Sequence, residues 1–386
     1  MKVTQIYAIM NTIAGELLGE TAVVQEDLSN VVSLGDTFQN VAGLDNYVRA
    51  LNDHVGRMVF VDRVYKGRIP SVLMDGWEYG SILEKVSPEL PDVTENESWK
   101  LTNGTSYDPN VFYKPSVTVK CWNERVTFEI PISITEMQVK SSFTTPTQLN
   151  AFISMIYTAV QNAMTLRLDA LIMRTVNNLI GETIFADFGA DPLNASSGVK
   201  AVNLLYLYNT NVNPGADITA VDALTSKDFI KFASMTMTNY IDRMKVMSTL
   251  FNIGGKERFT PDDRIHVVML SEFRNSANAY LQSDTFNDQY TALPNAETVP
   301  YWQGSGVDYD FDSSSKIDIK TSANHTISAG GILCTMFDRD ALGVTNMNPR
   351  VTTQYNAKAE FWNEWHKYDA GYFNDTNENM VVFFVA

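Results

Sequence analysis

A glycine-rich turn that ends in a lysine is the feature of this sequence closest to a phosphate-binding loop. Gly254, Gly255 and Lys256 supply the end of such a loop. The motif also requires a glycine at position 250 and a serine or threonine at position 257, whose hydroxyl would bind Mg²⁺. Leu250 and Glu257 occupy these positions. The spacing therefore predicts an ordinary turn at this point of the chain.

Three aspartates at alternate positions, Asp308, Asp310 and Asp312, resemble the opening of a calcium-binding loop. Ser313 stands where that loop requires glycine, and Ile319 takes the place of its bidentate glutamate. Aromatic residues alternate with the aspartates, which favours an edge strand with its acids in water. We therefore expect no calcium site here.

The remaining reactive residue types do not combine into a catalytic or metal-binding set. The four histidines lack a mutual metal-ligand spacing, and the cysteines Cys121 and Cys334 lie far apart in the chain. Ser305 is flanked directly by Gly304 and Gly306, without the intervening residues of a nucleophile elbow. The sequence therefore predicts a protein that is not an enzyme, with no catalytic residue, no metal and no cofactor.

The composition is that of an acidic chain with enough apolar residues to fold. Of its 386 residues, 45% are hydrophobic, and 29 basic residues against 45 acidic ones give a formal net charge of −16. Binding to nucleic acid through a basic face is disfavoured, because that binding depends on neutralising phosphates. The apolar runs are far shorter than the roughly 20 residues of a membrane-spanning helix, so no membrane partner is expected.

The first half of the chain predicts an arm, a β-rich stretch and one very long helix. Residues 4–55 read as short helices joined by glycines, which would gain stability by packing on another surface. Strands are predicted at 58–61 and 117–134, with a long polar excursion at 84–115 between them. That excursion is either a solvated surface loop or a two-stranded arm that packs on another subunit, since an isolated hairpin is marginal in water.

The strongest periodic signal is the apolar spacing of three to four residues from 147 to 180, which predicts a helix about 50 Å long. Pro146 precedes it, and Gly181 follows it where a left-handed cap is expected. Residues 182–225 look irregular. A second helix is expected after a capping Ser226 and a third after Ser271. Further strands are predicted at 265–270, 317–319, 332–337 and 380–385.

Several stretches resemble the HK97-fold major capsid proteins of tailed bacteriophages. The similarity also lies in the order of parts, which runs from arm to long hairpin, very long helix, α/β region and strand-rich return. The stretches that carry the resemblance are VNLLYLYN at 202–209, YIDRMK at 240–245, RIHVVMLS at 264–271 with the helix up to 286, PYWQG at 300–304, MFDRDALG at 336–343 and the segment 356–372.

This resemblance implies an α+β fold of the HK97-like type. The corresponding parts would be an N-terminal arm at 1–56, the extended E-loop hairpin with its flanking strands at 57–140, a peripheral domain at 141–225 with its spine helix at 147–180, an α/β axial domain at 226–340, and C-terminal strands at 341–386 that return to the core. The implied function is a structural subunit that self-assembles into the pentamers and hexamers of an icosahedral head enclosing the DNA genome.

The resemblance also implies partners and a location. These are copies of the same chain, a portal and packaged double-stranded DNA, which is enclosed without specific binding. The chain enters its arm directly from Met1, so a separate scaffolding protein is expected. The location would be the virion capsid, with assembly in the host cytoplasm.

Contacts between subunits are expected to join acids of the polar excursion to basic groups of a neighbour. The acidic candidates are Glu89, Asp92 and Glu95, and the basic candidates are Arg57, Arg63, Lys66 and Arg68.

Two alternatives stay open at the level of sequence. One is another phage structural protein, such as a decoration or tail protein. The other is a carbohydrate-active or carbohydrate-binding protein, suggested by the acidity and by the aromatic cluster Trp362–His366, although strand packing is the favoured interpretation of that cluster.

Overall fold

The architecture is taken from a computed structural model of the chain. It describes residues 66–74, 82–93, 95, 102–104, 108–135, 146–189, 196–282, 295–303 and 314–386. The predicted N-terminal arm, the strand at 58–61 and the aspartates at 308–312 lie outside these residues. The described chain forms two compact units, one with residues from 130–163 and 351–366, the other with residues from 66–129, 164–350 and 367–386.

The β-rich stretch begins with a short 3₁₀ turn, Pro70–Val72, and strand β1, Leu73–Met74. It continues with strands β2, Leu83–Pro88, and β3, Val117–Trp122, which pair as an antiparallel hairpin. Strand β4, Arg125–Thr135, follows directly. Strands β3 and β4 confirm the prediction made from the alternation of apolar and polar residues from 117 onward. Strand β2 lies at the start of the predicted polar excursion, for which a surface loop and a two-stranded arm are both open from sequence, since LEKVSP contains few strand-forming residues.

The long helix α1, Pro146–Phe188, has 43 residues and confirms the strongest periodic signal of the sequence. Pro146 stands at its first position, where its missing N–H costs no helical hydrogen bond. The predicted end at residue 180 is wrong. The helix continues for two more turns to Phe188 and is followed by Gly189, which has a φ of +70° and whose N–H donates to the carbonyl of Phe185 at 2.8 Å.

Gly181 was expected to terminate α1 but lies inside the helix. A Cβ added to it would lie 3.1 Å from side-chain atoms of Ile319 and of Thr321. Its small size therefore serves close packing and not a turn. The region beyond it also has more structure than predicted, with β5 at Ala201–Asn203, α2 at Leu204–Asn211 and α3 at Ala220–Ala223.

The larger unit is built on a five-stranded sheet in the order β5-β13-β10-β6-β7. Its remaining strands are β6, Ile265–Leu270, β7, Ala296–Val299, β10, Ile332–Asp338, and β13, Met380–Phe384. All residues of β6, β10 and β13 are buried, because they lie in the middle of the sheet and are covered on both faces. The structure thus confirms the central strands that the continuous apolar runs of the sequence predict.

Two amphipathic helices accompany this sheet, and both begin where the sequence predicts. Helix α4, Lys227–Met244, is capped by Ser226, whose side chain accepts a hydrogen bond from the N–H of Phe229. Helix α5, Ser271–Gln282, follows β6 without a break. Buried side chains of α4 and of α1 join those of the sheet in one continuous hydrophobic core.

A second sheet has the order β1-β11-β12-β4. Its two longest strands are β11, Leu342–Asn356, and β12, Phe361–Asn374, which are joined by a short turn. In the smaller unit, the hydroxyl of Ser133 on β4 donates to Asn363 on β12 at 2.6 Å. Strands β8, Ile317–Lys320, and β9, Thr326–Ala329, form a separate antiparallel pair.

Candidate functional site

The β2–β3 hairpin is the described part of the chain that combines exposed apolar side chains with a specific charged contact. Its register runs from Leu83 opposite Trp122 to Pro88 opposite Val117. Because successive side chains of a strand point to opposite faces, the hairpin has two faces of different composition. We call them the inner face, which contacts the rest of the larger unit, and the outer face, which is exposed.

The inner face binds the turn after β12 through two lysines. Lys85 and Lys120 lie directly opposite each other in the hairpin. The ammonium of Lys85 donates to the carboxylates of Asp375 at 2.9 Å and Glu378 at 2.6 Å, and that of Lys120 donates to Asp375 at 2.8 Å. We call these four residues the ion-pair cluster. The Asp375 side chain is only 3% exposed, so the contact is shielded from water on the acidic side.

The environment of the ion-pair cluster shifts the pKa values of two of its members. Burial alone would raise the pKa of Asp375, but hydrogen bonds from Lys120 and Lys85 outweigh it, and the pKa is lowered. Burial would likewise lower the pKa of Lys85, but its hydrogen bonds to Asp375 and Glu378 outweigh it, and the pKa is raised. Both shifts favour the charged forms near neutral pH.

The outer face of the hairpin is mostly apolar, with Glu84 as its charged residue. Val86, Val117 and Val119 have 58%, 56% and 49% of their surface exposed. Beyond the strands, large apolar side chains are exposed as well, among them Val93 and Phe112. A monomeric protein would normally turn this face inward, so the hairpin has the opposite orientation to a strand pair that covers its own core.

Of the predicted acidic contact residues, Glu89 has partners within its own chain. Its carboxylate binds the ammonium of Lys256 and the hydroxyls of Ser116 and Thr118, at 2.7 and 2.8 Å for the hydroxyls. Hydrogen bonds from Lys256, then Ser116 and Thr118, lower the pKa of Glu89 to about 2.

The other two acids are placed differently from Glu89. Asp92 and Glu95 are exposed, and within the described segments they form no ion pair. They lie in the same excursion as Glu89, but their carboxylates face solvent and are accessible to a second chain.

The basic candidates also divide into two groups. Arg68 is engaged in its own chain, where its backbone N–H and its Nε each donate to Asp169 at 2.8 Å and its guanidinium lies 5.0 Å from the ring centre of Tyr301. Lys66 is exposed and makes no ion pair with the residues that the structure describes. Arg57 and Arg63 lie outside the described residues.

The chemical motifs of the sequence have structural roles. The backbone of Lys256 exchanges hydrogen bonds with the amide of Asn252 at 2.9 and 2.6 Å, as expected for a turn. His266 is buried in β6 and its ring stacks on Phe337, and burial lowers its pKa. The Trp362–His366 cluster belongs to strand β12, where Trp362 lies against Tyr355.

A cleft of about 480 Å³ lies beside the hairpin base. Trp122, Arg174, Glu182 and Tyr372 are among its lining residues. Oε2 of Glu182 contacts Nδ1 of His325 at 3.2 Å, and the backbone N–H of Tyr372 donates to the backbone carbonyl of Glu124 at 3.3 Å. No nucleophile and base are brought together among these lining residues.

Two further searches cover only the part of the chain that the structure describes. No group of three or more potential ligand residues there could hold a metal ion. None of its helices combines the length and the apolar character needed to cross a bilayer.

Solved structures with the same fold define the class of protein. The chain is similar to a chain of the capsid structure of Staphylococcus phage Andhra, with 9% identity, a TM-score of 0.57 and coverage of 86% of this chain and 87% of the other. It is also similar to a chain in a structure of the head fibre and inner core protein gp22 of native bacteriophage P68, with 10% identity, a TM-score of 0.54 and coverage of 86% and 88%. The fold is the HK97-like α+β fold of phage capsid proteins, as the sequence resemblance implied.

A family model narrows this class. The model of the Phi29-like phage major capsid proteins matches residues 10–384, and the chain belongs to that family. No curated protein matches the sequence. The protein is a structural subunit of an icosahedral phage head, located in the virion capsid, where copies of it assemble into capsomers. This family membership is preferred over the two alternatives left open by the sequence, a carbohydrate-related protein and a decoration or tail protein.

Proposed function

We propose that copies of this chain assemble into pentamers and hexamers in which the β2–β3 hairpin lies on a neighbouring copy. The observation that carries the proposal is the orientation of the hairpin, whose two lysines contact their own chain on the inner face while three valines are exposed on the outer face. Burial of apolar surface contributes roughly 25 cal/mol per Å². Covering the outer face with a second copy would contribute this free energy to assembly, because the face is not buried in the single chain.

The proposal assigns the parts of the chain as the family resemblance implies. Residues 1–56 form an arm, 57–140 the E-loop hairpin, 141–225 the peripheral domain, 226–340 the axial domain and 341–386 the returning strands. Rings built by rotation use heterologous contacts, in which one surface patch meets a different patch on the next copy. A hairpin that protrudes from each copy suits such a contact.

Further partners belong to the same proposal. A separate scaffolding protein and a portal take part in assembly in the host cytoplasm, and the finished shell encloses double-stranded DNA. The net charge of −16 supports enclosure without specific binding, because a surface this acidic repels phosphate. The role is mechanical and requires no catalysis.

The test introduces a charge on the outer face. Val119→Lys should leave the fold of the single chain intact, because Val119 is already half exposed, but should strongly reduce assembly by placing an ammonium in an apolar contact. Assembly is followed by light scattering and negative-stain electron microscopy of the full chain, with and without the scaffolding protein. Closed shells with pentamers and hexamers are expected for the unmodified chain.

Val221→Lys is the matched control, since this valine is 77% exposed on helix α3 and lies outside the hairpin. It should assemble as the unmodified chain does. If Val119→Lys formed shells with the same yield as Val221→Lys, the outer face would not be a contact between copies.

A further inference from the structure

The inner face of the hairpin contains a repulsion that the hairpin cannot relieve by itself. Lys85 and Lys120 are directly opposite each other in the antiparallel register. Like charges in such a cross-strand pair are destabilising. The two oxygens of Asp375 bind one lysine each, Oδ2 accepting from Lys85 and Oδ1 from Lys120. Asp375 therefore joins both lysines in one attractive cluster, in which Glu378 is a second acidic partner of Lys85.

Asp375 is held in position by backbone groups of two turns and not only by the hairpin. Its backbone N–H donates to the carbonyl of Ala341 at 2.6 Å, and its Oδ1 accepts the N–H of Asn377 at 3.0 Å. It directly follows strand β12 in the turn that leads to the central strand β13. The carboxylate thus has a fixed location to which the hairpin is attracted.

The other contacts of the hairpin lie at its two ends. At the base, the rings of Trp122 and Phe373 are 5.2 Å apart, and at the far end Glu89 binds Lys256. The ion-pair cluster lies between them. Without Asp375, Lys120 would lose its acidic partner and Lys85 would keep only Glu378.

We propose that Asp375 is the positioning residue of the hairpin, which holds the inner face against the larger unit and thereby keeps the apolar outer face exposed to a neighbouring copy. The importance of this orientation for assembly rests on the function proposed above. The attachment itself is a property of the single chain and can be measured without assembly.

The attachment depends on pH through groups from every element around the cluster. Lys85 and Lys120 come from the hairpin, Glu378 and Asp340 from turns near Asp375, Asp338 from the end of β10, and Arg258 and Arg264 from the segment before β6. The lowered pKa of Asp375 means that its contribution is lost as pH falls through that folded-state value. The raised pKa of Lys85 means that its contribution is lost as pH rises through that value. The hairpin should therefore be held most firmly near neutral pH.

Asp375→Asn tests the proposal in the unassembled full chain. Hydrogen exchange of backbone amides in β2 and β3 should become about tenfold faster or more, because Lys120 then faces Lys85 without an acidic partner of its own and Lys85 keeps only Glu378, while amides of the five-stranded sheet keep their protection. Asp262→Asn is the matched control. It removes the same charge from an exposed ion pair with Lys245, at 2.8 Å and outside the hairpin, and should leave β2 and β3 unchanged.

Two additional measurements separate positioning from simple loss of stability. Lys120→Met added to Asp375→Asn removes the repulsion and should restore part of the protection of β2 and β3. Salt should act in opposite directions, since screening weakens the attraction in the unmodified chain but weakens the lysine–lysine repulsion in Asp375→Asn.

The outcomes distinguish this inference from the proposed function. If exchange in β2 and β3 were the same in Asp375→Asn and in the unmodified chain, Asp375 would not position the hairpin. If exchange accelerated but shells formed as before, Asp375 would still position the hairpin, and the contact of its outer face with a neighbour would be wrong.

Discussion

At the scale of single residues, Gly331 occupies a position where the neighbouring backbone leaves no room for a side chain. Its φ is +68°, and a Cβ added there would overlap the carbonyl oxygen of Val385. The carbonyl of Gly331 also accepts the N–H of Val385 at 2.9 Å, which fixes the end of the chain against the turn before β10. Glycine is required by both the conformation and the close approach.

Gly331→Ala should destabilise the chain through backbone strain and through displacement of the C-terminal strand. Gly215→Ala is the control, because Gly215 also has a positive φ of +85° but nothing within 4 Å of the added Cβ. Strain alone should cost about 1–2 kcal/mol at Gly215. At Gly331 overpacking should add about 1–3 kcal/mol. Denaturant unfolding measures both, and equal losses would contradict the close contact.

Residue types alone also did not reveal the orientation of the hairpin. The alternation of valine with polar residues in β3 is visible in the sequence and predicts a strand. The usual interpretation turns the valines inward. The observed direction depends on Asp375 and Glu378, which follow Lys85 by 290 and 293 positions. No local pattern contains that information.

At the scale of elements, the long helix shows where periodicity is a sufficient guide. Apolar residues at intervals of three to four predicted α1 and its start at Pro146. The end was misjudged at Gly181, since a glycine at a helix end and one required by packing look alike in sequence. The neighbours that require a glycine at position 181 are far away in sequence: Ile319 lies in strand β8, and Thr321 directly follows that strand.

A substitution that creates a cavity at Ile184 tests the additional turns of α1. This side chain is 1% exposed, in the segment that the sequence analysis placed in an irregular region. Ile184→Ala should cost about 2–5 kcal/mol in unfolding free energy, as other buried large-to-small substitutions do. The measurement is denaturant unfolding of the unassembled chain.

Ala186→Gly is the companion variant, because Ala186 is exposed on the same turn. It should cost about 1 kcal/mol if the turn is helical. A negligible effect of both substitutions would be incompatible with a packed helix beyond Gly181.

At the scale of the whole molecule, the negative charge must be accommodated wherever copies meet. The predicted contact between acids of the excursion and basic groups of a neighbour remains a prediction. Asp92, Glu95 and Lys66 suit it best, because they are exposed and because Glu89 and Arg68 already bind residues of their own chain.

Reversing both exposed acids, Asp92→Lys with Glu95→Lys, should raise the protein concentration needed for assembly about tenfold while the single chain stays folded. Two exposed ion pairs contribute roughly 0.2–1 kcal/mol each, and reversal adds repulsion. Adding Glu89→Lys to this double variant should also loosen the hairpin, because the new lysine would repel Lys256 where Glu89 now binds it. Light scattering against protein concentration measures the shift.

Asp217→Lys with Asp318→Lys changes the net charge equally at exposed sites outside the excursion. Assembly should respond much less to this pair. An equal response of the two double variants would show that net charge, and not a specific contact, controls assembly.

The sequence by itself determined the α+β class, the central strands, the start and most of the length of the long helix, and the resemblance to HK97-fold capsid proteins. The strands and the helix follow from periodicity and apolar runs, which are local properties of the chain, and the α+β class follows from the resemblance. Only the tertiary structure decided the end of α1, the bounds and pairing of β2, and the direction of the hairpin faces. Each of these depends on contacts between residues far apart in sequence, at Ile319 for the helix and at Asp375 for the hairpin.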